Sequence, residues 1–364
     1  MNKKEIFHGS DIERIAEIYN IDINSIIKFG ANVNPLGLSG NFLKKMPNLL
    51  DKITAYPDRD YVSLRKHLSE YVNTPYENII VGNGTSELIN LSIRAVNPGN
   101  ATIIAPAYSE YANSLEKIGS KCKYASLKKE NDFILKEDQI DDLFDGDTKM
   151  LITCNPNNPT STLIDRDMMI KILDKAVQNN AFVLVDETYI EFTPDVKVYS
   201  SIPLCEKYKN LIVLRGISKF FASPGLRFGY AICSDENLRA AILSSQDPWS
   251  VNSLAECGVP LLLEDKEYIE KSSNYIHKER EFVYNELSQL KKLTVYKPYA
   301  NFILCHIHDS NYSSADLFDI CIKKGYMIRD CQTFQTLDDT FFRFCFMEHE
   351  HNEGLIRTIK EYLK

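Results

Sequence analysis

The most reactive candidate in the chain is a lysine among small and apolar residues, in Ser218-Lys219-Phe220-Phe221-Ala222-Ser223-Pro224-Gly225. Desolvation disfavours an ammonium, so a lysine so placed is available as a nucleophilic amine. Four further stretches follow short apolar runs in the same way. In Gly82-Asn83-Gly84-Thr85-Ser86-Glu87 the glycines let backbone amides approach a phosphate, and the helix that follows adds a favourable dipole. Pro106-Ala107-Tyr108 could set an aromatic ring against a flat heterocycle. Asn155-Pro156-Asn157-Asn158-Pro159-Thr160 holds its amides between two prolines, where they could donate to a ring oxygen. Asp186-Glu187-Thr188-Tyr189 delivers a carboxylate that is costly to bury unless it meets a cation, for which a protonated pyridine nitrogen is suitable. Tyr189 could donate to a neighbouring phenolic oxygen, and Ser218 and Arg227 could complete the phosphate site begun at Gly84.

Taken singly, each stretch has an ordinary reading. The glycine turn is a common strand-to-helix connection, Tyr108 a packing aromatic, the Asn-Pro run a turn, and any one lysine a surface lysine. Five such coincidences in order are what argue for chemistry.

The elements that must position these residues are legible in the hydrophobic pattern. Runs at 79–81, 102–105, 151–154, 182–185 and 211–214 read as buried parallel strands, and 165–179 as a helix with acidic residues in its first turn. Their alternation implies an α/β fold, with helices covering a mostly parallel sheet and ligands bound beyond the carboxyl ends of the strands. From about Trp249 the pattern changes to a charge-laced helical stretch (264–291), strand-like 301–306, helical 314–323, strand-like 342–346 and a final helix. The expected organisation is an N-terminal arm (1–40) packed with a small α+β domain (249–364), and a large domain (41–248) carrying the reactive residues.

The bulk properties set limits. The chain has 364 residues, 44% hydrophobic and 25% charged, enough for a large core, and its net charge of −8 is spread along its length. That balance argues against a nucleic-acid surface but leaves room for a small anionic substrate held by a few aimed arginines. Nine cysteines without a C-x-x-C pair, and no leader-like opening, imply reduced thiols in a cytoplasmic protein. Apolar runs such as 181–185 are too short to cross a membrane. The pairs His306/His308 and His349/His351 read as solvated histidines, and no metal site is expected. A non-catalytic regulator module would need an additional DNA-binding domain, and no segment reads as one.

The ordered set GNGTSE (82–87), PAYSEY (106–111), NPNNPT (155–160), VDETY (185–189) and SKFFASPGLRFGY (218–230) closely resembles the fold-type I, class I/II aminotransferases. Within them it is most similar to the histidinol-phosphate aminotransferases and the threonine-phosphate decarboxylases. The resemblance covers essentially the whole chain and implies an enzyme dependent on pyridoxal 5'-phosphate. By it, Lys219 would hold the cofactor covalently, Asp186 would pair with the pyridine nitrogen, and Asn158 and Tyr189 would contact the phenolic oxygen. Tyr108 would stack on the ring, with Gly84, Thr85, Ser86, Ser218 and Arg227 around the phosphate. Tyr56 resembles the tyrosine that reaches a neighbouring subunit's cofactor phosphate, which implies a homodimer.

Three features favour the decarboxylase branch: the opening FHGSDIERIA, placing His8 and Gly9 at the substrate phosphate; GANVNPLG, placing Asn32 at the substrate; and Arg329 with Arg343, which would divide a carboxylate and a phosphate between them. The segment DPWSVNSLAE, which holds the only tryptophan, is similar to this branch too. The implied reaction is decarboxylation of an O-phospho-L-threonine-like amino acid to an amino-alcohol phosphate. The alternative is amino transfer on a phosphorylated or phosphonate amine of the histidinol-phosphate kind. Three positions depart from the family pattern: Gly216 replaces a hydroxyl residue, Ser161 a glycine, and Met347 a basic residue common in the decarboxylases.

Overall fold

A computed structural model describes residues 11–364, so His8 and Gly9 lie outside the described residues. The apolar runs form β1 (Ile79–Gly82), β2 (Asn100–Ala105), β3 (Lys121–Ser126), β4 (Met150–Cys154), β5 (Phe182–Asp186), β6 (Leu211–Gly216) and β7 (Gly229–Ile232). They make one seven-stranded sheet in the order β1-β7-β6-β5-β4-β2-β3. From β3 to β6 the neighbours run parallel, and β7 runs antiparallel to both β1 and β6. β4 and β6 are buried at every position, as helices on both faces require. Two strands of this sheet were not legible beforehand. β3 is a sheet edge that keeps exposed and half-buried residues, so it lacks an apolar run. β7 is only four residues long and emerges directly from the glycine-containing loop.

The helix Arg166–Gln178 begins where the side chain of Asp165 accepts from the Met168 amide at 2.8 Å, one residue inside each end of the expected range.

Residues near the end build a second sheet from β8 (Leu293–Val295), β9 (Phe302–Ile307), β10 (Arg329–Asp330) and β11 (Phe341–Cys345), all antiparallel, in the order β10-β11-β9-β8. The charge-laced stretch forms the helix Lys266–Ser288, preceded by a separate helix, Ser253–Leu263. The chain's early segment lies against this sheet: the Ile27 amide donates to Gly325 O at 2.8 Å, and the Cys345 amide to Phe29 O at 2.8 Å.

Ser161 sits at φ +62°, a backbone that favours glycine. Its hydroxyl has a use that glycine could not supply, accepting from the amides of Tyr299 (3.1 Å) and Ala300 (2.8 Å) just before β9. Among the described residues, no helix is long and apolar enough to cross a membrane.

Candidate active site

A cavity of about 850 Å³ opens where the carboxyl ends of the central strands face the second sheet, and Lys219, Asp186, Tyr108, Asn158, Arg329 and Arg343 all line it. It is built in three parts.

The first is the turn after β1. Gly84 caps the helix Thr85–Val96 at φ +83°, and no side chain occupies the cap. The amides of the first turn are therefore left for a ligand. Two neighbours press on this turn. A Cβ at Gly229 in β7 would lie 2.7 Å from the Thr85 nitrogen, and one at Gly84 would lie 2.5 Å from Arg227 Nη2. Thr85, Ser86, Ser218 and Arg227 all line the cavity. Gly216 lies close beneath the turn: a Cβ there would stand 3.1 Å from the Thr85 methyl.

The second part is the carboxylate. Asp186 is 4% exposed; its Oδ1 accepts from Thr188 N (2.9 Å) and Thr188 Oγ1 (2.5 Å), and its Oδ2 from Tyr111 OH (2.8 Å). Burial pushes its pKa up, and the three donors oppose that shift. The Tyr189 hydroxyl accepts from Asn32 Nδ2 at 3.4 Å, and burial also raises its pKa. Of the three asparagines after β4, two are engaged in holding the turn. Asn155 Nδ2 donates to Ile164 O and Asn157 Nδ2 to Pro106 O. Asn158 is the one that lines the cavity.

The third part gathers the cations. Lys219 Nζ donates to Ala31 O at 2.7 Å, and its pKa falls to about 8, first through burial and then through the nearby Arg343 charge. Arg343 donates through Nη2 to Gly30 O (2.9 Å) and through Nη1 to Asn158 Oδ1, and lies over the Phe302 ring at 5.3 Å. Asn32 O, next along the loop, accepts from Asn301 Nδ2 at 3.1 Å. Arg329 is paired with Arg343 across β10 and β11 and donates to Thr333 Oγ1 at 2.8 Å. Both arginines are more than nine-tenths buried, yet Arg329 Nη1 and Arg343 Nε have no hydrogen-bond partner among the described residues. Burial, and then the Arg343 charge, lower the Arg329 pKa. Buried cations with unused donors call for anions.

Most of the expected site residues thus converge on one cavity. Tyr56 does not line it: it is 80% exposed, its ring 4.8 Å from that of Trp249. His349 pairs with Glu279 at 3.0 Å, and His306 stacks on Phe341 at 4.5 Å between ring centres. Sequence reasoning missed Tyr111, Thr188 and the carbonyls of Gly30 and Ala31. Tyr111 had a signal, since it follows Tyr108 by three residues in PAYSEY; backbone carbonyls have none.

The residues present fit pyridoxal phosphate. A buried carboxylate without an ion pair among the described residues faces the cavity, together with an amine of lowered pKa. An uncapped helix start with a guanidinium against it suits a phosphate.

Comparison with known proteins agrees with this geometry. The chain is 33% identical to the histidinol-phosphate aminotransferase of Methanococcus aeolicus over 97% of its length and 94% of that protein's. It is 31% identical to the threonine-phosphate decarboxylase of Salmonella typhimurium, over 98% and 96%. The crystal structure of the histidinol-phosphate aminotransferase from Clostridium acetobutylicum superposes with a TM-score of 0.86 at 34% identity, covering 92% of this chain and 98% of that one. The pattern described as aminotransferase class I and II is matched over residues 24–359, and the chain therefore belongs to that family of pyridoxal-phosphate enzymes.

Proposed function

We propose that this enzyme decarboxylates a phosphorylated amino acid of the O-phospho-L-threonine type, releasing carbon dioxide and an amino-alcohol phosphate. The observation that carries the reading is the pair Arg329 and Arg343, buried side by side with nitrogens that have no partner among the described residues. Such a pair suits a substrate with two anionic groups. Arg343, the nearer to Lys219 in charge, would take the carboxylate, and Arg329 the phosphate. Asn32 would contact the substrate from the early loop, and the branch resemblance adds His8 and Gly9 at the phosphate.

Pyridoxal phosphate, when bound, supplies the electron sink for the carbanion left at Cα. Lys219 would hold it covalently and afterwards move a proton at Cα. Asp186 would keep the ring nitrogen protonated, and Asn158 and Tyr189 would hold the phenolic oxygen. Tyr108 would cover the ring, while Gly84, Thr85, Ser86, Ser218 and Arg227 would bind the phosphate. The arginines would select the bond that breaks, by fixing the orientation of the substrate's anionic groups about Cα.

A second reading, amino transfer on a histidinol-phosphate-like amine, draws support from the same arginine pair, which also suits a dicarboxylate amino donor. Product analysis separates the two. O-phospho-L-threonine and pyridoxal phosphate are supplied with and without 2-oxoglutarate. Amino-alcohol phosphate formed without the keto acid supports decarboxylation; glutamate formed only with it overturns that reading in favour of amino transfer.

The division into an arm (1–40), a large domain (41–248) and a small domain (249–364) belongs to the same proposal, as does a cytoplasmic homodimer. All nine cysteines are free, which suits a reducing compartment. Leu43, Leu50, Ile53 and Tyr56 are half or more exposed within one stretch, an apolar surface suited to a second copy of the chain.

A further inference from the structure

The two oxygens of Asp186 are unequally served. Among the described residues, Oδ1 takes two donors from Thr188, whereas Oδ2 takes only the Tyr111 hydroxyl. A carboxylate has about four acceptor positions, so one remains for a donor arriving from the cavity. Tyr111 is 1% exposed and lies on the helix Glu110–Lys117. Its ring meets that of Tyr108 edge-on at 5.7 Å and 89°, and both residues line the cavity. One short segment therefore carries both the ring that would cover the cofactor and the hydroxyl that engages its carboxylate.

The geometry points to Tyr111 as a positioning residue that acts through Asp186 to keep the proton of the cofactor's ring nitrogen on that nitrogen. The inference rests on the cofactor and not on which bond of the substrate breaks. A donor to a carboxylate favours its ionised form, here against the opposing pull of burial. Without the Tyr111 hydroxyl, a proton shared between Asp186 and the ring nitrogen moves toward the carboxylate. The Lys219 nitrogen, once it holds the cofactor, would then keep its own proton more tightly. The other groups acting on these two sites stay in place when the hydroxyl is removed. They are Thr188, Tyr108, Tyr189 and Cys154 around Asp186, of which Cys154 loses its own contact with the Tyr111 hydroxyl, and Arg343, Cys345 and Arg227 around Lys219.

The test is a pH titration of the visible absorbance of the cofactor-bound protein, for the unsubstituted chain and for Tyr111→Phe. The midpoint is expected to rise by roughly half to one pH unit in Tyr111→Phe. Loading with a cofactor analogue that has carbon in place of the ring nitrogen should abolish this difference, because that analogue carries no proton there. An unchanged midpoint with pyridoxal phosphate overturns the inference, as does an equal shift with both cofactors, which a general loosening of the site would give. Should Tyr111→Phe fail to fold, Thr188→Val removes a donor from the other oxygen; a rise confined to the natural cofactor supports the inference, and no rise overturns it. Absence of any visible band in the unsubstituted protein overturns the cofactor reading itself.

Discussion

Lys219 and Arg343 hang from adjacent carbonyls of one loop, the lysine on Ala31 at 2.7 Å and the arginine on Gly30 at 2.9 Å. The two cations are thereby kept close, and the arginine helps hold the amine near a pKa of about 8. Only the unprotonated amine attacks a carbonyl. The rate at which the protein takes up pyridoxal phosphate should therefore rise about tenfold per pH unit below 8 and level off above it. In Arg343→Gln the break should move toward the ordinary lysine value. Rapid-mixing absorbance between pH 6.5 and 9.5 reads both. Lys219→Ala should abolish turnover, and near-normal activity would refute the assignment.

Arg343 reaches the cofactor residues through one hydrogen bond, to Asn158, and through its charge on Lys219, while its Nε has no partner among the described residues, so its removal should fall mainly on the substrate. Arg343→Ala is expected to weaken binding of the phosphorylated amino acid roughly 10- to 100-fold, with cofactor affinity changed far less. Separate absorbance titrations with cofactor and with substrate check this. Equal losses would assign the arginine to folding instead.

Gly216 and Thr85 share a space that holds one methyl group. Gly216→Ser adds a hydroxyl beside the turn, yet its Cβ begins 3.1 Å from the Thr85 methyl and should lower cofactor affinity several-fold. Adding Thr85→Ser removes that methyl, and the double variant should regain the loss. The coupling is read as a double-mutant cycle on the cofactor Kd.

Ser161 accepts from two backbone amides while sitting at positive φ. Ser161→Ala keeps the strained backbone and orphans the buried Ala300 amide, so it should cost about 1–3 kcal/mol. Ser161→Gly relieves the backbone and should cost less. Denaturant unfolding of the three proteins orders them.

If Leu43, Leu50 and Ile53 are covered by a second copy of the chain, Ile53→Asp should give a monomer of lowered activity, seen by sedimentation. Tyr56→Phe should leave the dimer intact and weaken cofactor binding about tenfold.

The central strands and the residues just past them were readable because a strand covered on both faces writes an unbroken apolar run, and its end writes a polar cluster. Asp186, Lys219 and Asn158, which line the cavity, were singled out in that way. Tyr111 was passed over because its hydroxyl reaches a carboxylate 75 residues away, a contact no local pattern records. The Ala31 and Gly30 carbonyls carry no side-chain signature at all. β10 is two residues long and makes sense only beside β11, so the pairing of the two arginines depends on a register that spacing alone does not fix.

That register has a consequence for substrate choice. Arg329 and Arg343 are set opposite one another by the antiparallel pairing of β10 and β11, and a slip of one residue would turn either side chain to the other face of the sheet. On the proposed reading the pair would work as a caliper whose opening is cut into the backbone. Changes in the connecting segment 331–340 could alter what surrounds the jaws, but the gap between the two anionic groups of a substrate would be set by the sheet itself.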